Sequence, residues 1–466
     1  MSKTSADYAS RIKRRRAFLG AAFGNGIEWY DFAVYGFLAV YIGRTFFASE
    51  SQVAELLSTF AVFGLSFFAR PVGALFFGPL ADRIGRKRVM VIVLTVMAGS
   101  TFLIGLVPGY TTIGAWAPVL LVSLRLLQGF SAGGEFGSVS TFMTESAQPH
   151  RRGFGVSWMA FSCVLGIMLG GILSTALSAG LGEAAMHDWG WRIPFLIAGP
   201  LGLVGLFIRL KLEDTPEFTS IAAKGQTVNS PLRRVLKQPR PLLLAGGIAI
   251  LYGVSFYMVF TYMTTYIRTV AKLGTGVALG SVLLGGIVAL ILLPVTGALS
   301  DRLGRKPVLL FSAVGYLAMS YPMFSLIAHG GTAGALTGTV VLAALQATYL
   351  ATSIVTVTEL FPAGIRTTGV SLGVNIPVAL FGGTAPFAAT FLLSSTGVDT
   401  SPSIYLMFAA AISVIALLVL SPDDLHRDSV AEADAQEDRS PLVPAEPSLP
   451  GGRRAGSGRF TPRPRG

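Results

Sequence analysis

The decapeptide Gly78-Pro79-Leu80-Ala81-Asp82-Arg83-Ile84-Gly85-Arg86-Lys87 returns as Gly297-Ala298-Leu299-Ser300-Asp301-Arg302-Leu303-Gly304-Arg305-Lys306. The copies stand 297 − 78 = 219 residues apart in a chain of 466. A second set recurs in the same order: Glu145, Arg152, Gly155, Val156 and Ser157 as Glu359, Arg366, Gly369, Val370 and Ser371, an offset of 359 − 145 = 214. Two ordered echoes at nearly one offset indicate an internal duplication, so the chain is expected to fold as two related halves. Each decapeptide lies in a short polar break between long apolar runs, which makes the duplicated unit a membrane-embedded one. Duplicated halves in a bilayer are how secondary transporters are built.

Charged residues make up 13% of the chain and hydrophobic ones 52%, against roughly 25% charged in a soluble domain. A span needs about 20 mostly apolar residues. Twelve such runs are expected, at about 18–42, 55–79, 88–108, 115–141, 153–179, 190–210, 241–267, 276–299, 307–328, 333–358, 368–394 and 402–420. This predicts an all-α membrane protein with two pseudo-symmetric six-helix bundles, 18–210 and 241–420, joined by a polar linker, 211–240. Residues 1–17 are a basic N-terminus without a small-residue cleavage site before the first run, and 421–466 read as a disordered, Pro-, Gly- and charge-rich tail.

The formal charge of +12 follows the topology. Arg and Lys gather before the first run and after the even-numbered ones: Arg83, Arg86, Lys87 and Arg88; Arg151 and Arg152; Arg233, Arg234, Lys237 and Arg240; Arg302, Arg305 and Lys306; Arg366. The positive-inside rule then places both termini in the cytoplasm. It also removes nucleic acid as a partner. The lone Cys163 and four scattered histidines give no disulfide and no metal site, and no phosphate-binding Gly-x4-Gly-Lys-Ser/Thr loop is present. No cofactor is expected, and a membrane-bound enzyme is poorly supported. The expected partners are a small-molecule substrate, a proton and the lipid bilayer, for a chain acting as a monomer in a bacterial-type inner membrane.

Charge inside an apolar run is costly, so it should face a cavity or a partner. Glu28 and Asp31 are three apart on the first run, with Tyr35 one turn on. Arg70 lies in the second, and Arg125 and Glu135 in the fourth. A carboxylate there gains a proton when desolvated and loses it beside an arginine, which is the requirement for coupling. Permanent pairing that merely joins helices is the alternative. Asp82 and Asp301, near helix ends, can accept from helix-N-terminal N–H groups, and Gly85 and Gly304 permit the tight turn. The seventh run is dense in Tyr252, Phe256, Tyr257, Phe260, Tyr262 and Tyr266. Such rings attract ammonium groups, though packing uses them too.

The doubled Gly-x-Leu-x-Asp-Arg-x-Gly-Arg-Lys loop resembles the signature of the major facilitator superfamily. Its metabolite:proton symporter branch is suggested by Gly24-Asn25-Gly26-Ile27-Glu28-Trp29-Tyr30-Asp31-Phe32, Ala69-Arg70-Pro71-Val72-Gly73, Arg125-Leu126-Leu127-Gln128-Gly129 through Gly133-Gly134-Glu135, Asp188-Trp189-Gly190-Trp191-Arg192 and Leu212-Glu213-Asp214-Thr215-Pro216. Tyr257-Met258, Thr261-Tyr262-Met263 and Tyr405-Leu406-Met407 resemble the proline/glycine-betaine carriers of that branch. The long coiled-coil tail of the osmosensing carrier has no counterpart in 421–466.

The resemblance implies that Glu28, Asp31, Arg125 and Glu135 converge on a central cavity, with Arg70 and Tyr257 in the substrate and proton path. Arg125 is the expected carboxylate clamp. It further implies a conformational latch of Gly78, Asp82, Arg83, Gly85 and Arg86 with Asp301, Arg302, Gly304 and Arg305. Glu145 with Arg152 and Glu359 with Arg366 are its expected partners. Import of a proline- or betaine-type osmolyte with a proton is the leading expectation. Organic-acid symport is the alternative. Drug antiport is less favoured, because Gly166-Ile167-Met168-Leu169-Gly170-Gly171 lacks the Gly-Pro pair of those exporters.

Overall fold

The computed structural model describes residues 3–47, 52–224 and 230–425. Twelve long helices carry the fold: α1 (Lys3–Phe37), α2 (Gln52–Ile84), α3 (Arg86–Leu106), α4 (Trp116–Ser146), α5 (Arg152–Ala185), α6 (Arg192–Leu210), α7 (Pro239–Tyr257), α8 (Thr275–Leu303), α9 (Arg305–His329), α10 (Gly331–Glu359), α11 (Arg366–Pro377) and α12 (Pro402–Val419). Helix is the only open-chain solution here, because in hydrocarbon each backbone N–H and C=O must be satisfied within its own segment. Among the described residues, ten of these are long and apolar enough to cross a membrane by length and composition. The other two are α1, which carries Glu28 and Asp31, and α4, which carries Arg125 and Glu135.

The helices differ from the expected runs mainly at their ends. The first begins at Lys3, not near residue 18, and after a break at Leu38 continues as Ala39–Phe46. The polar linker holds two short helices, Pro216–Ala223 and Pro231–Leu236. The seventh and eleventh spans each pass through a π-helical turn, Met258–Tyr262 and Val378–Gly382, before resuming as Met263–Thr269 and Ala385–Thr396. Residues 426–466, most of the expected disordered tail, lie outside the described residues.

In the first half α2 packs on α4, α1 on α5, and α3 on α4 and α6; in the second α8 packs on α10, and α9 on α10 and α12. The halves meet through α5 with α8 and α2 with α11. Small residues set these distances. A Cβ at Gly166 would collide with the Gly26 carbonyl, so the glycine-rich face of α5 lies directly on α1. The two repeated loops turn at Gly85 (φ 105°) and Gly304 (φ 92°), backbone angles that favour glycine.

Candidate functional site

A cavity lies between the halves. Trp29, Arg70 and Phe136 line it from the first half, and Tyr252, Tyr257 and Asn375 from the second. It is nearly collapsed, with room for about one water. Aromatic pairs from opposite halves close it: Trp29 on Phe256 at 4.9 Å, Phe67 on Tyr257 at 5.4 Å and Phe136 on Tyr252 at 5.8 Å between ring centroids. The π-turn of the eleventh span supplies Val378 to the wall. Extra backbone in such turns often marks a working site.

Arg70 is the cation of this cavity. Its Nη2 lies 3.3 Å from Glu28 Oε1, and its guanidinium stands over Phe32 at 4.4 Å and Phe67 at 4.9 Å. Its Nε has no hydrogen-bond partner. Glu28 and Arg70 are thus brought together as a buried pair at the cavity wall. Tyr257 is also in place, with its buried hydroxyl unpartnered.

The other expected residues go elsewhere. Asp31 Oδ2 accepts from the Thr101 hydroxyl at 2.6 Å, Gln128 Nε2 donates to the same hydroxyl at 2.5 Å, and Arg125 Nη1 donates to Gln128 Oε1 at 2.8 Å. The Arg125 guanidinium stacks over Tyr35, 3.4 Å from the ring centroid. Asp31 and Arg125 therefore form a relay inside the first bundle, and Arg125 stays outside the cavity lining. Glu135 is held by Arg209, which donates from both terminal nitrogens and also gives Nη1 to the Met90 carbonyl at 2.6 Å. A Cβ at Gly24 would collide with the Arg209 guanidinium, so that glycine leaves the space Arg209 fills. In hydrogen bonding, the expected four-way convergence divides into three groupings.

At the end of the bundle that carries the repeated loops, the two echoes interlock. Asp82 accepts from Thr367 N at 3.3 Å, Thr368 N at 2.9 Å and the Thr368 hydroxyl at 2.6 Å, all at the start of α11. Asp301 accepts from Gly153 N at 2.8 Å and Phe154 N at 2.9 Å, at the start of α5. The receiving positions are themselves one repeat apart, 367 − 153 = 214. Thr144 and Thr358, 358 − 144 = 214 apart, share a hydrogen bond of 2.9 Å. Gly78 lies against the Thr368 Cα, close enough that a Cβ would stand 3.1 Å away.

One acid–base pair crosses the halves too, Glu145 with Arg366. Glu145 joins Arg86 at 3.2 Å and Arg366 at 3.1 Å, while Arg305 reaches Asp301 at 2.7 Å and Glu359 at 3.0 Å. Glu145 is thus tied to Arg366 of the other half as well as to Arg86. Arg152 lies 4.0 Å from Glu217, and Arg302 is exposed.

The linker docks on the first loop. Asp214 Oδ1 accepts from Arg86 N at 3.2 Å, at the start of α3, and the Thr215 hydroxyl donates to Glu145 at 2.5 Å. Burial raises the Asp214 carboxyl above its usual range. Burial, with help from Glu145, pushes Glu217 up to about 7 against the opposing pull of Arg366 and Arg152.

Arg209, Thr101, Asn375 and the docking role of Asp214 and Thr215 were not singled out from the sequence. Arg209 sits in the last turn of an apolar run, where an arginine reads as an end marker. Asn375 is a single amide in such a run, with no echo to draw attention to it.

A family profile described as Major Facilitator Superfamily matches residues 21–375 and 275–455. A protein named proline/betaine transporter from Escherichia coli (strain K12) is 36% identical over 445 residues, covering 92% of this chain and 89% of that one. A citrate-proton symporter from Klebsiella pneumoniae is 39% identical over 407 residues, 87% of this chain and 91% of the other. The solved structure of the proton:xylose symporter XylE bound to 6-bromo-6-deoxy-D-glucose superposes with a TM-score of 0.74 at 16% identity, covering 88% of this chain and 95% of that one. At that identity the likeness concerns the fold alone.

Proposed function

Because this chain belongs to the Major Facilitator Superfamily, we propose that it is a proton-coupled symporter importing a small metabolite, and that the metabolite is a zwitterionic carboxylate of the proline or glycine-betaine type. The observation that carries this is the buried Glu28–Arg70 pair, whose arginine lines a largely aromatic cavity. When Glu28 takes a proton, its bond to Arg70 breaks and the guanidinium is left buried and uncompensated. An unpaired buried charge costs about 3–5 kcal/mol. A substrate carboxylate on Arg70 removes that cost, and the aromatic faces receive the ammonium end. Proton alone and carboxylate alone are each disfavoured by roughly two to four orders of magnitude. Only the doubly loaded cavity is favourable, and that is coupling.

The arginine clusters of the repeated loops support a cytoplasmic location for that end. The Asp82 and Asp301 contacts then close the carrier on the cytoplasmic side, and cycling requires their release. The chain would sit in the cell membrane of a bacterium with both termini inside.

Replacing Glu28 by Gln mimics the protonated state permanently. Glu28→Gln should lose uphill accumulation of labelled substrate yet keep counterflow, with affinity for carboxylates unchanged or tighter. Full accumulation by this variant would remove Glu28 from the proton path. The citrate-transporting relative favours a second reading, an organic acid as cargo. Arg70 is the only cation of the described cavity lining, which suits one carboxylate better than three. Strong competition by citrate or 2-oxoglutarate with none by betaine would establish the second reading instead.

A further inference from the structure

Asn375 is the one amide among the described residues lining the cavity, and it comes from the second half where Arg70 comes from the first. Its orientation is fixed by chemistry. The side-chain nitrogen donates to the Ser371 carbonyl at 2.8 Å and to the Gly133 carbonyl, across the two halves, at 3.1 Å. Both neighbours can only accept, so the NH₂ group must face them and the two donors are spent. Among the described residues the amide oxygen accepts from no donor. It is an acceptor left over in a cavity whose one charged group, Arg70, can only donate.

Resting on the osmolyte reading above, we infer that Asn375 determines specificity among ammonium carboxylates by accepting the N–H of the substrate cation. Arg70 orients the carboxylate and Asn375 takes a hydrogen from the charged nitrogen at the other end. A secondary ammonium, as in proline, has hydrogens to give. A quaternary ammonium, as in betaine, has none and is held by the rings of Trp29, Phe256 and Tyr252 alone. The same cavity therefore binds the two classes by different contacts, and one residue separates them.

The ligand series is proline, N-methylproline and N,N-dimethylproline, with two, one and no N–H on the same ring, together with glycine betaine. Competition against labelled proline is measured in vesicles containing the wild type or Asn375→Ala. A hydrogen bond to a charged group is worth about tenfold or more in affinity. Asn375→Ala should weaken proline and N-methylproline about tenfold and the two fully methylated ligands less than about twofold. The Ser371 and Gly133 carbonyls belong to helical backbone and keep their helical partners, so the variant should fold. Asn375→Thr, whose hydroxyl can still accept, should lose less than the alanine variant.

Parallel loss of all four ligands would make Asn375 a packing residue and overturn the inference. So would wild type that binds N-methylproline and N,N-dimethylproline equally, a measurement needing no variant. If wild type binds none of the four, the osmolyte reading itself has failed, and the inference falls with it by a separate observation.

Discussion

Glu217 shows how much one buried linker carboxyl can report. One oxygen stands 4.0 Å from Arg152 and the other has no partner. Burial moves the group from an ordinary 4.5 to about 7. The folded chain then binds this proton more tightly than the unfolded one. Its stabilising contribution is fully present below about 4.5 and is lost as pH rises through about 7. Glu217→Gln should flatten the dependence of melting temperature on pH across that window and raise stability by a few degrees above pH 7. An unchanged slope in detergent-solubilised protein would assign the effect to another group. Residues of this kind were only partly legible. Glu28 and Asp31 stand out because charge is rare in an apolar run, but three residues on a helix separate them by about 60°. That angle aims Glu28 at α2 and Asp31 at α3, into different networks. Arg125 and Glu135, ten apart, lie about 15 Å from each other along the helix axis, so they enter different networks.

Among the helices, small residues convert spacing into chemistry. Gly133 of α4 lies against α2 so closely that a Cβ would collide with the carbonyl of Arg70 and stand 2.7 Å from Ala74 N. The glycine therefore sets the depth of the arginine the cavity depends on. Gly133→Ala should cost about 1–3 kcal/mol by overpacking and should weaken carboxylate binding, because α2 must move outward with Arg70 on it. Loss of stability in thermal melts with unaltered affinity would separate the two roles. The helices themselves were readable from apolar length. The π-turns at Met258–Tyr262 and Val378–Gly382 were not, since no residue type encodes one extra residue in a turn.

For the molecule as a whole, the duplication was the most legible feature and its geometry the least. The echoes showed that two halves exist, but not that each echo is the receptor for the other. Asp82 has three donors on α11, one of them the Thr368 hydroxyl, whereas Asp301 has two on α5, where Phe154 offers no hydroxyl. Asp82→Asn should therefore release the closed state more than Asp301→Asn, by about 1.5–3 kcal/mol for a charged hydrogen bond. In a Cys163→Ala background, labelling of Val374→Cys from the loop face should accelerate more with Asp82→Asn. Equal acceleration would mean that the two clasps contribute alike. Asp82 holds the helix beginning at Arg366, Asp301 the one beginning at Arg152, and Thr144 touches its own counterpart Thr358. An interface in which both sides offer the same patch is isologous, the form taken by symmetric dimers. A free-standing six-helix chain could make this contact with a second copy of itself. Fusion keeps the contact and removes the obligation that both sides change together. Thr368 facing Asp82 while Phe154 faces Asp301, with the linker's Asp214 seated on the first loop, is what that freedom looks like.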